Sequence, residues 1–406
     1  MGEHFKPENP DQILDAVQWA LAEGRAFDVF GGRTKQGYGR PTLATDNLDL
    51  SAVSGIDLYE PGELVMSAKA ATPLADINAA LADNRQRLAF EAPNWGPLFG
   101  AKDQSGTIGA LFVCNMAGSR RIQAGAARDH ILGFHAISGR GEHFKSGGRV
   151  VKNVTGFDLS KLMAGSFGTL AVLCDVTFKV LPVPEKARTV LVLGDDPKMA
   201  TAAMTVALQS PFDVSGAAHL PAGVAAMSGV SYVSGGTSGV TAIRVEGPGP
   251  SVEFRAQALR QMLAEFGETE ELHSVNTAKL WQEIRDVSYF VEGDSQVWRL
   301  SVPPSEGADV AGRLTESTGG QTFFDWGGGL IWLAMPPRPD AAHEEVRAAI
   351  GAAGGHATLF RASPDVRAAV PVFQPQPAPL ADLASRIKNS FDPKGVFNPG
   401  RMYEGS

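Results

Sequence analysis

Residues 104–182 read QSGTIGALFVCNMAGSRRIQAGAARDHILGFHAISGRGEHFKSGGRVVKNVTGFDLSKLMAGSFGTLAVLCDVTFKVLP. Glycines recur every few residues between short apolar runs, beside Ser, Thr, Asn or Arg. That is the composition of strands joined by loops whose backbone comes close to a ligand, because only glycine lets N–H groups approach with no side chain in the way. The loops also carry Arg120, Arg121, Arg128, Lys145, Arg149 and Lys152, so the ligand is expected to be an anion.

Working outward, 406 residues are too many for one ordinary core, and two domains are expected. With 44% hydrophobic and 20% charged residues the composition is globular. A net charge of −8 argues against nucleic-acid binding and makes the loop cations a local feature. The chain has neither an apolar run of roughly 18 residues nor a charged-then-apolar leader, which predicts no direct membrane insertion and a cytoplasmic location. The two cysteines, Cys114 in ALFVC and Cys174 in LAVLC, read as small residues of buried strands rather than a redox pair. Two thiols are also too few for an iron–sulfur cluster held by cysteine alone.

Towards the N-terminus, Asp11–Glu23 has helical apolar spacing between Pro10 and Gly24. Phe27–Phe30 then forms a strand running into GGRTKQGYG at 31–39. Consecutive amides there can form an anion nest, with Arg33 and Lys35 adding charge. The loop is not a P-loop, since Tyr38-Gly39 stands where Lys-Ser/Thr is required. It lacks the G-x-G-x-x-G spacing of a Rossmann turn as well. By itself it fits an ordinary surface turn equally well. A strand at 64–70 and a helix opened by Pro73 lead back to the glycine-rich stretch, and Pro182 and Pro184 mark a boundary.

Beyond Glu185 the pattern becomes TVLVL, helix 196–209, VSGAAHL, TAIRVEG, helix 251–264 and TEELH. After a linking helix at 276–287 it repeats as VWRLSV, helix 306–317, TFFDW, LIWLAM, helix 341–352 and HATLF. Two β-α-β-β-α-β runs predict a pair of ferredoxin-like units on one extended antiparallel sheet. A helix at 379–390 precedes FDPKGVFNPGR, whose prolines and glycines predict a fixed tail.

GGRTKQGYG, SGTIGALFVCNMAGS, VVKNVTGFDLSKLMAGSFGTL and FDPKGVFNPGR resemble, in order, the signatures of the FAD-linked oxidases of the vanillyl-alcohol-oxidase-like superfamily. More narrowly, the whole chain is similar to the smaller FAD-binding subunit of glycolate oxidase (glycolate dehydrogenase), most specifically in KNVTGFDLSKL and FNPGR. The resemblance implies an α+β protein in three segments. These are a PCMH-type FAD-binding domain at 1–184, a ferredoxin-like second domain at 185–378, and a tail at 379–406 returning to the FAD site.

It also implies site residues. Gly31, Gly32, Arg33, Thr34, Lys35 and Gln36 match the pyrophosphate loop, and Ser105, Gly106, Thr107 and Gly109 a second phosphate-facing loop. Asn115, Ala117, Gly118 and Ser119 match the turn beside ribose and pyrophosphate, while Gly125, Arg128 and Asp129 match residues near the flavin and its linker. Asn153, Gly156 and Asp158 match a segment closing over that region, Val172 a backbone contact to adenine, and Asn398 the returning tail residue.

Two departures from the family pattern matter. Where relatives that bind FAD covalently often carry His in the first glycine loop, this chain has Arg33, so non-covalent FAD is expected. The clustered histidines and acidic-glycine run of the larger, substrate-oxidising subunits are missing from the second half, and no metal is expected. Hydroxy-acid oxidation needs a base and a cation or metal to hold the carboxylate. Arg299 in VWRLSVPP and Trp326 in FDWGGG remain as candidates for the flavin face or a substrate, with Arg285 a weaker one; packing roles fit them as well.

The resulting expectation is an FAD-holding subunit of a glycolate-oxidising complex, acting in electron transfer or support. Its partners would be a larger FAD-containing subunit and an iron–sulfur subunit, through which it could sit at the inner membrane face. The alternatives are a free-standing flavin oxidase or dehydrogenase of a small hydroxy acid, and an assembly protein that has lost its cofactor. The bare glycine loops speak against the last.

Overall fold

In the computed structural model, residues 2–101, 106–149 and 156–405 are described. The chain divides into two compact units. One comprises Met1–Ala117, Gly125–Val183 and Pro375–Ser406; the other comprises Gly118–Ala124 and Pro184–Gln374. The short segment Gly118–Ala124 therefore belongs with the later half of the chain, although the sequence around it builds the first unit.

The first unit contains β1 (His4–Phe5), β2 (Phe27–Phe30), β3 (Asp46–Asp49), β4 (Ile56–Glu60), β5 (Val65–Lys69), β6 (Gln86–Arg87), β7 (Ile131–Ser138), β8 (His143–Gly147), β9 (Ala171–Lys179) and β10 (Leu181–Pro182). β1, β3 and β2 form a parallel sheet in that order, and β4-β5-β9-β7-β8 form an antiparallel one. The helix Pro10–Glu23 starts where Asn9 accepts from the Gln12 amide and stops at Gly24, which is left-handed at φ 59°. Its buried Ile13, Ala16, Val17 and Ala20 pack with Phe27, Leu48, Val172, Val396 and Phe397 in one cluster. The tail is thus core material. Asp392 fixes it by accepting from the Val396 and Phe397 amides, both at 2.9 Å, and from Lys388 Nζ at 2.7 Å.

Two features of the 104–182 stretch differ from a run of strands. Ile108–Val113 and Leu159–Met163 are short helices. Cys114, expected in a strand, caps the first of them and is only half-buried, whereas Cys174 is buried in β9 as expected. The apolar run ALFV is too short for its periodicity to separate the two forms. Its amides decide it by bonding back along a helix, as Leu111 N does to Thr107 O at 3.1 Å.

The second unit holds β11 (Lys186–Leu193), β12 (Val214–Leu220), β13 (Val240–Gly247), β14 (Thr269–Leu272), β15 (Gln296–Ser301), β16 (Gln321–Asp325), β17 (Leu330–Met335) and β18 (His356–Arg361). They form one eight-stranded antiparallel sheet in the order β14-β11-β13-β12-β16-β17-β15-β18. The order is two mirrored copies of the same four-strand pattern joined at β12 and β16, which meet at His219 and Phe324. Each copy is β-α-β-β-α-β, with helices at 197–209 and 249–263 in the first and 307–318 and 343–350 in the second. Those helices bury Ala203, Leu259, Val310 and Val346 against Val190, Ile243, Trp298 and Leu333 on one face of the sheet.

Candidate functional site

In the first unit, two adjoining lobes open where β2 runs into the loop after Phe30. Val29, Phe30, Gly31, Thr107, Ala110, Val113, Phe167 and Asn398 line both. One lobe is apolar, walled by Leu50, Ala70, Ala71, Ala171, Val172 and Leu173. The other is polar and adds Asp28, Gly32, Arg33, Thr34, Lys35, Gln36, Cys114 and Arg401.

The polar lobe is built by a loop under local constraint. Arg33 adopts φ 54°, which costs a non-glycine residue free energy, and its guanidinium lies 3.4 Å from the Phe30 ring centroid while donating to Asn47 Oδ1 at 2.8 Å. These two contacts hold its exposed side chain in place. Gln36 Nε2 donates to Asp28 Oδ2 at 3.2 Å, closing the loop onto β2. Thr34 and Lys35 are buried. Burial lowers the Lys35 pKa, so an entering anion would stabilise the ammonium. Arg401, also lowered by burial, donates to Lys35 O at 3.0 Å. The Cys114 thiol is pushed up to about 11 by burial, against the pull of Lys35 and Arg401, and stays protonated.

Gly106 and Gly109 are glycines for different reasons. A Cβ on Gly106, at φ +88°, would lie 2.2 Å from Lys35 Nζ. A Cβ on Gly109 would meet Ala70 O at 2.7 Å, and the Gly109 amide already donates to that oxygen at 2.8 Å. Gly109 therefore secures the packing of the Ile108–Val113 helix on β5. Thr107 lines both lobes at the start of that helix.

At the apolar lobe, the pairing of β9 with β5 runs from Lys179 to Asp175, and Ala70 N donates to Cys174 O at 2.9 Å. Beyond that point β9 continues through Leu173, Val172 and Ala171 with β7 on its other side. The edge that β5 no longer covers lines the lobe. Asn398 spans the mouth. Its Oδ1 accepts from Val29 N at 2.8 Å, and its Nδ2 donates to Phe167 O at 3.2 Å and Gly168 O at 3.1 Å.

The remaining residues singled out in the sequence have the following contacts. Asn115 Oδ1 accepts from Arg128 N at 3.1 Å, and Asp129 Oδ2 from Ala126 N at 2.9 Å, so Asn115, Gly125, Arg128 and Asp129 form a tight turn with exposed Arg128 and Asp129. Ala117 is buried at the end of its stretch of the first unit. Gly156 has φ 78°, and Asp158 caps the Leu159–Met163 helix by accepting from Lys161 N. Ser105 and Asn153 lie outside the described residues.

Gly118 and Ser119 fall in the second unit. Ser119 Oγ donates to Asp325 Oδ2 at 2.7 Å, and Gly118 O accepts from Trp326 Nε1 at 3.1 Å. Arg120 pairs with Glu246, which Arg244 also approaches at 3.5 Å, so this buried triad anchors the segment. Arg299 and Trp326 come together at 5.0 Å from guanidinium to ring centroid. Arg285 is paired with its neighbour Asp286 at 2.8 and 2.9 Å. Among the described residues, no group of three His, Cys, Asp or Glu side chains is placed to hold a metal ion.

Residues 4–147 match the FAD binding domain family. Over 395 residues the chain is 34% identical to the glycolate oxidase subunit GlcE of Escherichia coli strain K12, covering 96% of each chain. The chain belongs to the GlcE family. It also matches the glycolate oxidase subunit GlcD of Bacillus subtilis strain 168, at 32% identity over 116 residues, 29% of this chain and 23% of that one. The fold matches p-cresol methylhydroxylase with a TM-score of 0.71 at 13% identity, over 98% of this chain and 88% of that one.

The first-unit cleft of this GlcE-family chain fits the FAD of its domain family. An apolar lobe edged by the end of β9 suits an aromatic base, and the adjoining lobe has a glycine-floored loop with buried Lys35 and half-buried Arg401 suited to phosphates. Arg401, Ala110, Val113, Phe167 and Gly168 also line the cleft, although sequence reasoning did not single them out. Arg401 was within reach, since it ends the FNPGR motif; the apolar members carried no chemical signal.

Proposed function

We propose that this chain holds FAD non-covalently in the cleft of its first unit and serves as a flavin subunit of a multi-subunit glycolate oxidase. In this reading it acts in electron transfer or support rather than as the main hydroxy-acid oxidation site. The carrying observation is end-to-end similarity to GlcE, 96% of each chain, in a protein whose cleft has adjoining polar and apolar lobes.

The residues divide the work by chemistry. The backbone of Gly31–Gln36, with Gly106 and Thr107, would face the pyrophosphate, and Lys35 and Arg401 would offset its charge. Val172 would offer strand-edge backbone to the adenine, and Asn398, which ties β2 to the Phe167–Gly168 loop, would keep the mouth of the cleft in shape for the cofactor. Bound FAD supplies one- and two-electron chemistry, while the protein sets its orientation and electrostatics.

The partners in this reading are a larger FAD-containing subunit of the GlcD kind and an iron–sulfur subunit. Among the described residues no helix is long and apolar enough to cross a membrane. A cytoplasmic complex, peripheral at the inner membrane face through its partners, accords with that.

The test is to express the chain alone and with both partner subunits, then measure glycolate-dependent dye reduction. Flavin-containing but inactive chain, with activity appearing in the complex, is the expected result. Full activity from the isolated chain would refute the subunit reading.

A further inference from the structure

Beside the polar lobe of the first unit, aromatic rings from three separate stretches of the chain meet at Tyr38. The Tyr38 ring is buried, and its amide donates to Lys35 O at 3.0 Å, which closes a tight turn at the end of the 31–36 loop. It meets the Phe167 ring edge to face, with centroids 4.8 Å apart and planes at 78°. Trp95 meets it edge to face at 6.1 Å, and Phe99 lies nearly parallel to it at 6.2 Å. Edge-to-face contact is the geometry that ring quadrupoles favour, so these contacts fix orientation as well as distance.

The three stretches belong to the walls of the polar lobe. Tyr38 follows Gly31–Gln36, and Trp95 and Phe99 lie on the stretch that leads in sequence to Gly106 and Thr107. Phe167 stands at φ 54° in the loop before β9, and of the four rings only it lines the cleft. Clearances between the walls are tight. A Cβ on Gly37 would lie 2.7 Å from Phe99 Cδ1, so that ring rests on bare backbone. On the cleft side, a Cβ on Gly31 would lie 3.1 Å from Thr107 Cγ2, and one on Gly106 would lie 2.2 Å from Lys35 Nζ. Lys35 O also accepts from Arg401 Nη2 at 3.0 Å, so the turn that Tyr38 ends carries that guanidinium too.

Interiors packed this closely pass a displacement on rather than absorb it. A change of volume at Tyr38 therefore reaches the gap between the 31–36 loop and Gly106–Thr107, although Tyr38 lines neither lobe. That gap has a chemical meaning. Donors on one loop can serve a single phosphate, whereas two phosphates in series draw on donors from both sides at a fixed separation. Holding that separation before the ligand arrives removes an ordering cost from binding.

We propose that Tyr38 is a positioning residue: through Phe99 and Phe167 it sets the gap between the two loops and thereby selects a nucleotide carrying two phosphates over one carrying a single phosphate. The proposal rests on the reading of this cleft as the FAD site, and it assigns the choice of a diphosphate to a ring outside the lobes.

The test uses the full chain freed of its flavin and titrates AMP, ADP and FAD by calorimetry. The parent should bind ADP at least about tenfold more tightly than AMP. Y38A should lower ADP and FAD affinity about tenfold and leave AMP within about twofold, so that the preference for two phosphates collapses. Y38F keeps the ring and should keep the preference. G37A drives a methyl group into Phe99 while leaving Tyr38 intact; it should reproduce Y38A, and it carries the test if Y38A does not fold. A merely structural loosening would weaken AMP and ADP alike. That result, an unchanged preference in Y38A or G37A, or its loss in Y38F overturns the positioning role and leaves the FAD reading standing. A parent chain that binds neither ADP nor FAD would remove that reading, and the proposal with it.

Discussion

Asn398 accepts a hydrogen bond from the backbone amide of Val29 at 2.8 Å across 369 positions of sequence, and its own amide group closes on Phe167 and Gly168. One buried side chain in a left-handed backbone conformation, φ 45°, thereby joins β2, the loop before β9 and the tail at the mouth of the cleft. Truncation in N398A strands one buried N–H and two carbonyls and should cost about 2–4 kcal/mol of stability. Flavin should be lost on gel filtration, read as absorbance per chain. N398D keeps the acceptor but sets a carboxylate against two carbonyl oxygens, and should be no better.

Lys35 is a buried cation whose pKa is lowered by desolvation. Replacing it in K35M removes that cost from the cofactor-free chain and removes an attraction from the loaded one. The apo melting temperature should therefore rise or hold, while the stabilisation produced by added FAD shrinks and FAD affinity falls at least tenfold. Thermal melts with and without FAD separate the two effects, and a fall in apo stability with full FAD affinity would contradict the assignment.

Ser119 tests where the glycine-rich stretch ends its service to the cleft. Its hydroxyl is buried and donates to Asp325 in the second unit. S119A should lower the stability of that unit by about 1–3 kcal/mol, since Asp325 loses a partner. FAD affinity should stay within about twofold of the parent. A large loss of flavin without loss of stability would instead support the role beside ribose and pyrophosphate that sequence resemblance implies for Ser119.

His219 lies buried where the two halves of the long sheet meet, beside Thr241 at 3.0 Å, and burial pushes its pKa down to about 4. The folded form therefore holds the ring neutral, while the unfolded chain protonates near pH 6.5. Stability is present above pH 6.5 and is lost as pH falls towards 4, by up to about 3 kcal/mol over that window. In H219F, which cannot titrate, this part of the acid sensitivity should vanish. Denaturant midpoints at pH 7 and pH 4.5 give the comparison.

With Arg33 at the glycine-loop position where some relatives attach FAD through His, the flavin should leave with the solvent when the protein is denatured in acid. Flavin absorbance remaining on the precipitated chain would show a covalent bond.

The sequence alone determined the alternation of elements. Period-two strands, amphipathic helices and proline or glycine stops are local signals, and the second half shows both β-α-β-β-α-β runs within a few residues of their observed ends. The glycine-rich cleft was legible because backbone without side chains leaves a compositional mark. Tertiary structure decided what no local rule encodes. It set the apolar run before Cys114 as a helix, because its amides bond back along the chain, and gave Gly109 a packing role under Ala70. It also drew Gly118–Ala124 into the second unit and brought Arg121 to the same indole as Arg299. Those outcomes depend on which distant groups satisfy a buried amide, carboxylate or ring. Even the stretch at 104–182 is divided between two units, and Arg120 in its Gly118–Ala124 segment pairs with Glu246 of the second.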